Sequence, residues 1–146
     1  MKPLDLSPEA SWRRRFHATD VLWAVTARQN PDRGLVCTNR EGIYQLYAWN
    51  VVTGDLTQVT HQPAGELRGM MSPDGNSIYF HKDEAGNEIG HFVRGPFAGG
   101  EAEDISPELP AYSSFFITQN RLGHLTGFMA NGKDGFNVYL TNGASS

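Results

Sequence analysis

Residues 39–60 read Asn39-Arg40-Glu41-Gly42-Ile43-Tyr44-Gln45-Leu46-Tyr47-Ala48-Trp49-Asn50-Val51-Val52-Thr53-Gly54-Asp55-Leu56-Thr57-Gln58-Val59-Thr60, and their reading decides the fold. A turn ending in Gly42 leads into an aromatic and aliphatic run, Ile43 to Trp49, with the composition of a strand. Thr53-Gly54-Asp55 then reverses the chain into a short strand, Leu56 to Thr60. The central Gln45-Leu46-Tyr47 has counterparts in Gly90-His91-Phe92 and Asn137-Val138-Tyr139, whose aromatic residues are 45 and 47 positions apart (92 minus 47, 139 minus 92). This is the interval of a four-stranded propeller blade.

Working outward, Val21, Trp23, Val25 and Ala27 alternate with Leu22, Ala24 and Thr26, which predicts a strand apolar on both faces and sandwiched between layers. Asn30-Pro31-Asp32-Arg33-Gly34 turns into a second strand, Leu35 to Thr38, completing one blade with the stretch above. A second copy follows as Leu67 to Met71, Ser77 to His81, Glu88 to Arg94 and an outer strand Ala102 to Ile105. The third copy is Ser113 to Thr118, Leu122 to Met129 and Phe136 to Thr141, and it stops where the others enter a fourth strand. Ahead of the blades, Ser7-Pro8-Glu9 is a helix start signal, and Trp12 and Phe16 share one face of the helix it opens.

The expected architecture is therefore all-β: a partial β-propeller of about three four-stranded antiparallel blades, the third incomplete, preceded by a short helix. Its divisions are a lead-in at 1–19, blade 1 at 20–61, blade 2 at 62–107 and a truncated blade 3 at 108–146. Propellers close with about four to eight blades, so open blade faces are expected to invite self-association.

Composition narrows the function classes. Charged residues make up 19% of the chain and the net charge is −4, which supplies no electrostatic footprint for nucleic acid or an anionic membrane. The basic run Arg13-Arg14-Arg15 reads as the solvated face of the leading helix. A single Cys37 forms no intrachain disulfide, and its place in Leu35-Val36-Cys37 suits a buried inert thiol. No secretory h-region or membrane-length apolar stretch is present, so the cytoplasm is the expected address.

The tract Leu67-Arg68-Gly69-Met70-Met71-Ser72-Pro73-Asp74-Gly75-Asn76-Ser77-Ile78-Tyr79-Phe80 resembles the Ser-Pro-Asp-Gly blade signature of the prolyl oligopeptidase family of serine peptidases and of TolB-like periplasmic proteins. In that turn Pro presets the first central position, Asp bonds back to the backbone and Gly accepts a positive φ. Together with residues 39–60 and the leading helix, it looks like the first blades of an acylaminoacyl-peptidase-like member. The resemblance implies a noncatalytic cap that gates or positions peptide substrates for a C-terminal α/β-hydrolase domain absent from this chain. The alternatives are a self-associating binding module, two copies supplying about six blades, and a TolB-like protein-interaction scaffold.

No residue is assigned a catalytic, cofactor-binding or metal-ligating role. Gly123-His124-Leu125-Thr126-Gly127 has the glycines of a nucleophile elbow but Leu at the nucleophile position. His81, Asp83, Glu84, Glu88 and His91 surround one hairpin without the spacing of a metal motif, and a polar turn flanked by strand histidines is the better account. His17, His61 and His124 are isolated, and Gly95-Pro96-Phe97-Ala98-Gly99-Gly100 opens no helix that could cradle a phosphate. Trp23, Tyr44, Tyr47, Trp49, Tyr79, Phe80, Phe92, Phe128, Phe136 and Tyr139 are expected to pack blade against blade. The segment Ser106 to Ser114, with Tyr112, and the Phe97 loop are the expected recognition surface.

Overall fold

In a computed structural model, which describes residues 5–7, 10–12, 18–133 and 135–142, the chain forms three antiparallel sheets. The first runs β1 (Val21–Thr26), β2 (Arg33–Thr38), β3 (Gln45–Asn50) and β4 (Leu56–Gln58) in that spatial order. The second repeats the pattern with β5 (Met70–Met71), β6 (Ser77–Asp83), β7 (Gly90–Pro96) and β8 (Glu103–Asp104). The third contains β9 (Ile117–Gln119), β10 (Leu125–Gly132) and β11 (Gly135–Asn142). The helix expected over 7–16 falls largely outside the described residues, although Ser11 and Trp12 have helical backbone.

Turn chemistry fixes where each sheet begins. Between β5 and β6, Ser72 Oγ and the Asn76 amide both donate to Asp74 Oδ1, at 2.5 and 3.0 Å, while Gly75 takes φ 75° and its amide donates to Ser72 O. The equivalent turns close with the Arg33 amide on Asn30 O and the Gly123 amide on Asn120 O, both 3.0 Å. These three turns converge. The Gln29 amide donates to Pro73 O at 2.7 Å and its side-chain Nε2 donates to Arg121 O at 3.1 Å, so one residue of the first sheet's turn holds the other two.

Alternation along the strands then sorts side chains onto faces. Leu35, Cys37, Leu46 and Ala48 turn toward the second sheet and meet Ile78, Phe80 and Val93 in a buried aliphatic core. Close approach requires a missing side chain at Gly69, where an added Cβ would lie 2.5 Å from Leu46 Cδ1. The opposite face of the second sheet sends Phe92 into an aromatic cluster with Tyr112 and Phe128, against which Tyr139 packs.

The register corrects the aromatic recurrence. Leu46 O accepts from the Val59 amide, and Phe92 O accepts from the Ile105 amide at the same point in its own sheet. Phe80 pairs with Val93 as Phe128 pairs with Tyr139 and Val36 with Tyr47. Structurally equivalent positions are thus Leu46, Phe92 and Val138, followed by Tyr47, Val93 and Tyr139. Phe92 is one residue out of step with the other two rings: the equivalent positions recur every 46 residues (92 minus 46, 138 minus 92), and in the second sheet the ring occupies the position of Leu46, on the opposite face from Tyr47 and Tyr139.

Two burial expectations also fail. β1 is mostly exposed, with Val21 at 55% and Val25 at 46%, because it is an edge strand with β2 as its one ladder neighbour, and among the described residues Trp23 is its side chain that packs against the core. Phe136 is exposed instead of packed between blades, since it lies with Val138 and Leu140 on the β11 face that corresponds to the next-sheet contact of Leu46 and Phe92.

Candidate functional site

At the ends of the inner strands opposite the converging turns, a cleft of about 490 Å³ is bordered by all three sheets. Trp23 of β1 forms one wall, and its Nε1 donates to Leu67 O at 2.9 Å, tying the first sheet to the segment that leads into β5. That segment is held from behind as well, by the Glu66 amide on Tyr44 O at 2.8 Å. Opposite it, Ser114 to Ile117 leads into β9 and is anchored by the Ser114 hydroxyl on Met129 O.

The loop between β6 and β7 forms the rim. Asp83 accepts from the Gly86 amide at Oδ1 (3.2 Å) and from the Glu88 amide at Oδ2 (2.8 Å), which holds the loop in an unusual conformation. Ala85 and Glu88 take φ 54° and 60°, a left-handed backbone that side chains other than Gly, Asn and Asp adopt at a cost. The loop lies close to the first sheet's connection, since a Cβ on Gly86 would come 2.5 Å from that of Ala64.

The most perturbed carboxyl at the cleft is that of Glu66. Its Oε1 accepts from the Arg68 amide at 2.9 Å, but burial pushes the carboxyl up to about 7, against the opposing pull of the Arg68 and Leu67 amides. The Arg68 guanidinium makes no ion pair with it and sits 5.4 Å from the Phe115 ring centroid, a cation–π contact. His81 borders the floor. Its Nε2 lies 3.0 Å from the Tyr112 carbonyl, which only accepts, so this nitrogen carries the proton; burial lowers its pKa and favours the neutral ring. Cys37 lies behind the wall, fully buried, with its thiol pushed up to about 11 by burial.

Exposed apolar groups surround this concavity. Phe115, Phe116 and Leu67 are 52%, 57% and 51% exposed, although each borders a cleft lined by partly buried groups. The arrangement offers two ring faces, one desolvated carboxyl and fixed backbone amides, which is chemistry for recognition.

The expected surface residue Tyr112 is instead 3% exposed. Its hydroxyl accepts from the Phe92 amide at 3.0 Å and bonds Ser106 Oγ at 2.8 Å, and its ring stacks on Phe128 at 5.6 Å. The Phe97 ring lies under the Arg33 guanidinium, 4.8 Å away. Of the hairpin residues, His81 faces the cleft while His91 Nδ1 meets Asp104 Oδ2 at 2.9 Å; the ladder sets them opposite Phe92 and Lys82 respectively. Sequence reasoning missed Glu66, Phe115 and Phe116. The strand expected from Ser113 to Thr118 takes in both phenylalanines, whereas β9 starts at Ile117 and leaves them in the exposed approach to it.

No protein-family model matches the chain, and no curated protein does. Solved structures supply the likeness. A putative TolB from Agrobacterium tumefaciens superposes with a TM-score of 0.64 and 21% identity, over 84% of this chain and 46% of that one. TolB from Acinetobacter baumannii gives 0.56 and 15%, over 86% of this chain and 29% of that one. At these identities the likeness defines the fold, a TolB-like partial propeller, and the chain spans less than half the length of either structure.

Proposed function

We propose that the chain is the propeller portion of a protein-interaction scaffold, in which the sheets position the inner cleft and the open face of the third sheet joins a further sheet. The observation that carries this reading is the register. Leu46 and Phe92 each bury into the next sheet, whereas their equivalent Val138 is 76% exposed, flanked by Phe136 at 66% and Leu140 at 68%. Covering such side chains gains about 1.5–3 kcal/mol each when burial is complete. Likeness to TolB propellers supports a scaffold over an enzyme portion.

The narrower reading, a cap that gates peptides for the α/β-hydrolase domain of a cytoplasmic serine peptidase, is supported by the sequence resemblance of residues 39–60, 67–80 and the leading Ser7 to Phe16 segment. It receives no support from the structural neighbours.

Light scattering and binding of an apolar fluorescent dye test the scaffold reading. The chain is expected to associate with rising concentration and to bind dye, and the pair Val138→Asp with Leu140→Asp to abolish both while keeping the β-sheet circular dichroism. A chain that stays monomeric and dye-free at high concentration sinks the reading.

A further inference from the structure

Three observations at the cleft converge on the chemistry of its occupant. First, the volume of about 490 Å³ admits two side chains and the backbone between them, within the range of about 300–1,000 Å³ common to binding clefts. Second, Phe115 and Phe116 present exposed rings at its border, Phe115 with one side against the Arg68 guanidinium. Third, Glu66 is desolvated: the donors that reach its carboxyl are the Arg68 and Leu67 amides of its own segment, and it has no ion pair to a Lys or Arg among the described residues. Three carboxylates, Glu66, Asp83 and Glu88, border the cleft against the single guanidinium of Arg68, which is already placed on Phe115.

We propose that the cleft binds a peptide segment in which a Lys or Arg side chain pairs with Glu66 while an adjacent aromatic or large aliphatic side chain lies against Phe116 and the free part of Phe115. The pairing of charge explains the sign. A desolvated carboxylate is costly until a cation joins it, and the ring faces add apolar contact that an isolated ion does not use. This inference rests on the scaffold reading and gives that scaffold a ligand class.

The groups facing Glu66 set the pH dependence. Asp83 and Glu88 on the rim, Arg68 on its own segment, His81 on the floor and the Cys37 thiol behind it are the titratable neighbours. Of these, His81 is held toward its neutral form and Cys37 toward its thiol, so Glu66 is the group whose ionisation the bound cation favours near neutrality. Binding therefore releases a proton and tightens as pH rises from 6 to 8.

The test is a nuclear magnetic resonance titration of the full chain with the blocked peptide acetyl-Leu-Phe-Lys-Leu-amide and its counterpart carrying Glu in place of Lys. The Lys peptide is expected to shift the amides of Glu66, Arg68 and Phe116 and to bind at least about tenfold tighter than the Glu peptide, a difference of about 1.4 kcal/mol. Glu66→Gln removes a desolvated charge without changing shape, so it is expected to fold and to lose that discrimination and the pH dependence. Phe116→Ser, at an exposed position, is expected to weaken both peptides equally. Equal binding of the two peptides by the unaltered chain, discrimination that persists in Glu66→Gln, or resonances unmoved by either peptide would overturn the proposal. The scaffold reading stands or falls separately, on the association of the β11 face.

Discussion

The two contacts between sheets solve one geometric problem with different chemistry. Between the first and second sheets the buried groups are mainly aliphatic, and Leu35, Leu46 and Ile78 are 0% exposed. Between the second and third they are rings: Phe128 lies 5.8 Å from Phe92, 5.6 Å from Tyr112 and 5.5 Å from Tyr139. In the aromatic contact one of the rings itself carries the polar handle, the Tyr112 hydroxyl that closes onto Ser106 and the Phe92 amide. In the first sheet the corresponding place is filled by Thr60, whose hydroxyl accepts from the Leu46 amide at 2.8 Å and donates to Gln45 Oε1 at 2.7 Å. What recurs is a hydroxyl that satisfies the amide of the inward-facing residue, and the side chain supplying it is free to change.

The comparison breaks most readily at the rings. Phe128→Ala removes a ring with three ring neighbours and is expected to lower unfolding free energy by about 3–5 kcal/mol, against about 2–5 kcal/mol for Leu46→Ala. Urea unfolding followed separately by tyrosine fluorescence and by circular dichroism measures both. If Phe128→Ala proves the milder change, the aromatic contact is not the tighter of the two. Tyr112→Phe keeps the stacking and deletes the handle, leaving the Phe92 amide without its acceptor at an expected cost of about 1–3 kcal/mol. A neutral outcome would show that water or a rotated Ser106 replaces the hydroxyl. The smallest effect has the opposite sign. Tyr47 is 3% exposed and its hydroxyl finds no hydrogen-bond partner among the described residues, so Tyr47→Phe is expected to raise stability by about 1 kcal/mol.

These contrasts show which information was local. The strands and tight turns were legible because their causes lie within a few residues: Pro73, Asp74 and Gly75 make a turn wherever they occur, and Gln45 to Trp49 has the composition of a strand. The position of Phe92 was not legible. Counting aromatic residues aligns it with Tyr47 and Tyr139, but successive strand positions face opposite sides of the sheet, and a ring at one of two adjacent positions does not mark which face it occupies. Burial of β1 failed for a related reason, because apolar alternation reports what a strand could bury and not whether another layer lies beside it. Glu66 escaped notice because its properties come from Trp23, Asp83 and the β9 approach, brought together only in the folded chain.

Gln29 has a mechanical consequence. Its two hydrogen bonds join the three turns near the point from which the sheets fan out, so a small rotation of one sheet relative to the next moves these atoms least. Such a rotation would preserve the hub while changing the separation of Trp23, the Asp83 loop and Phe116 at the far ends of the inner strands. With Gln29 as pivot, slight angular play between sheets would read out as a change of aperture.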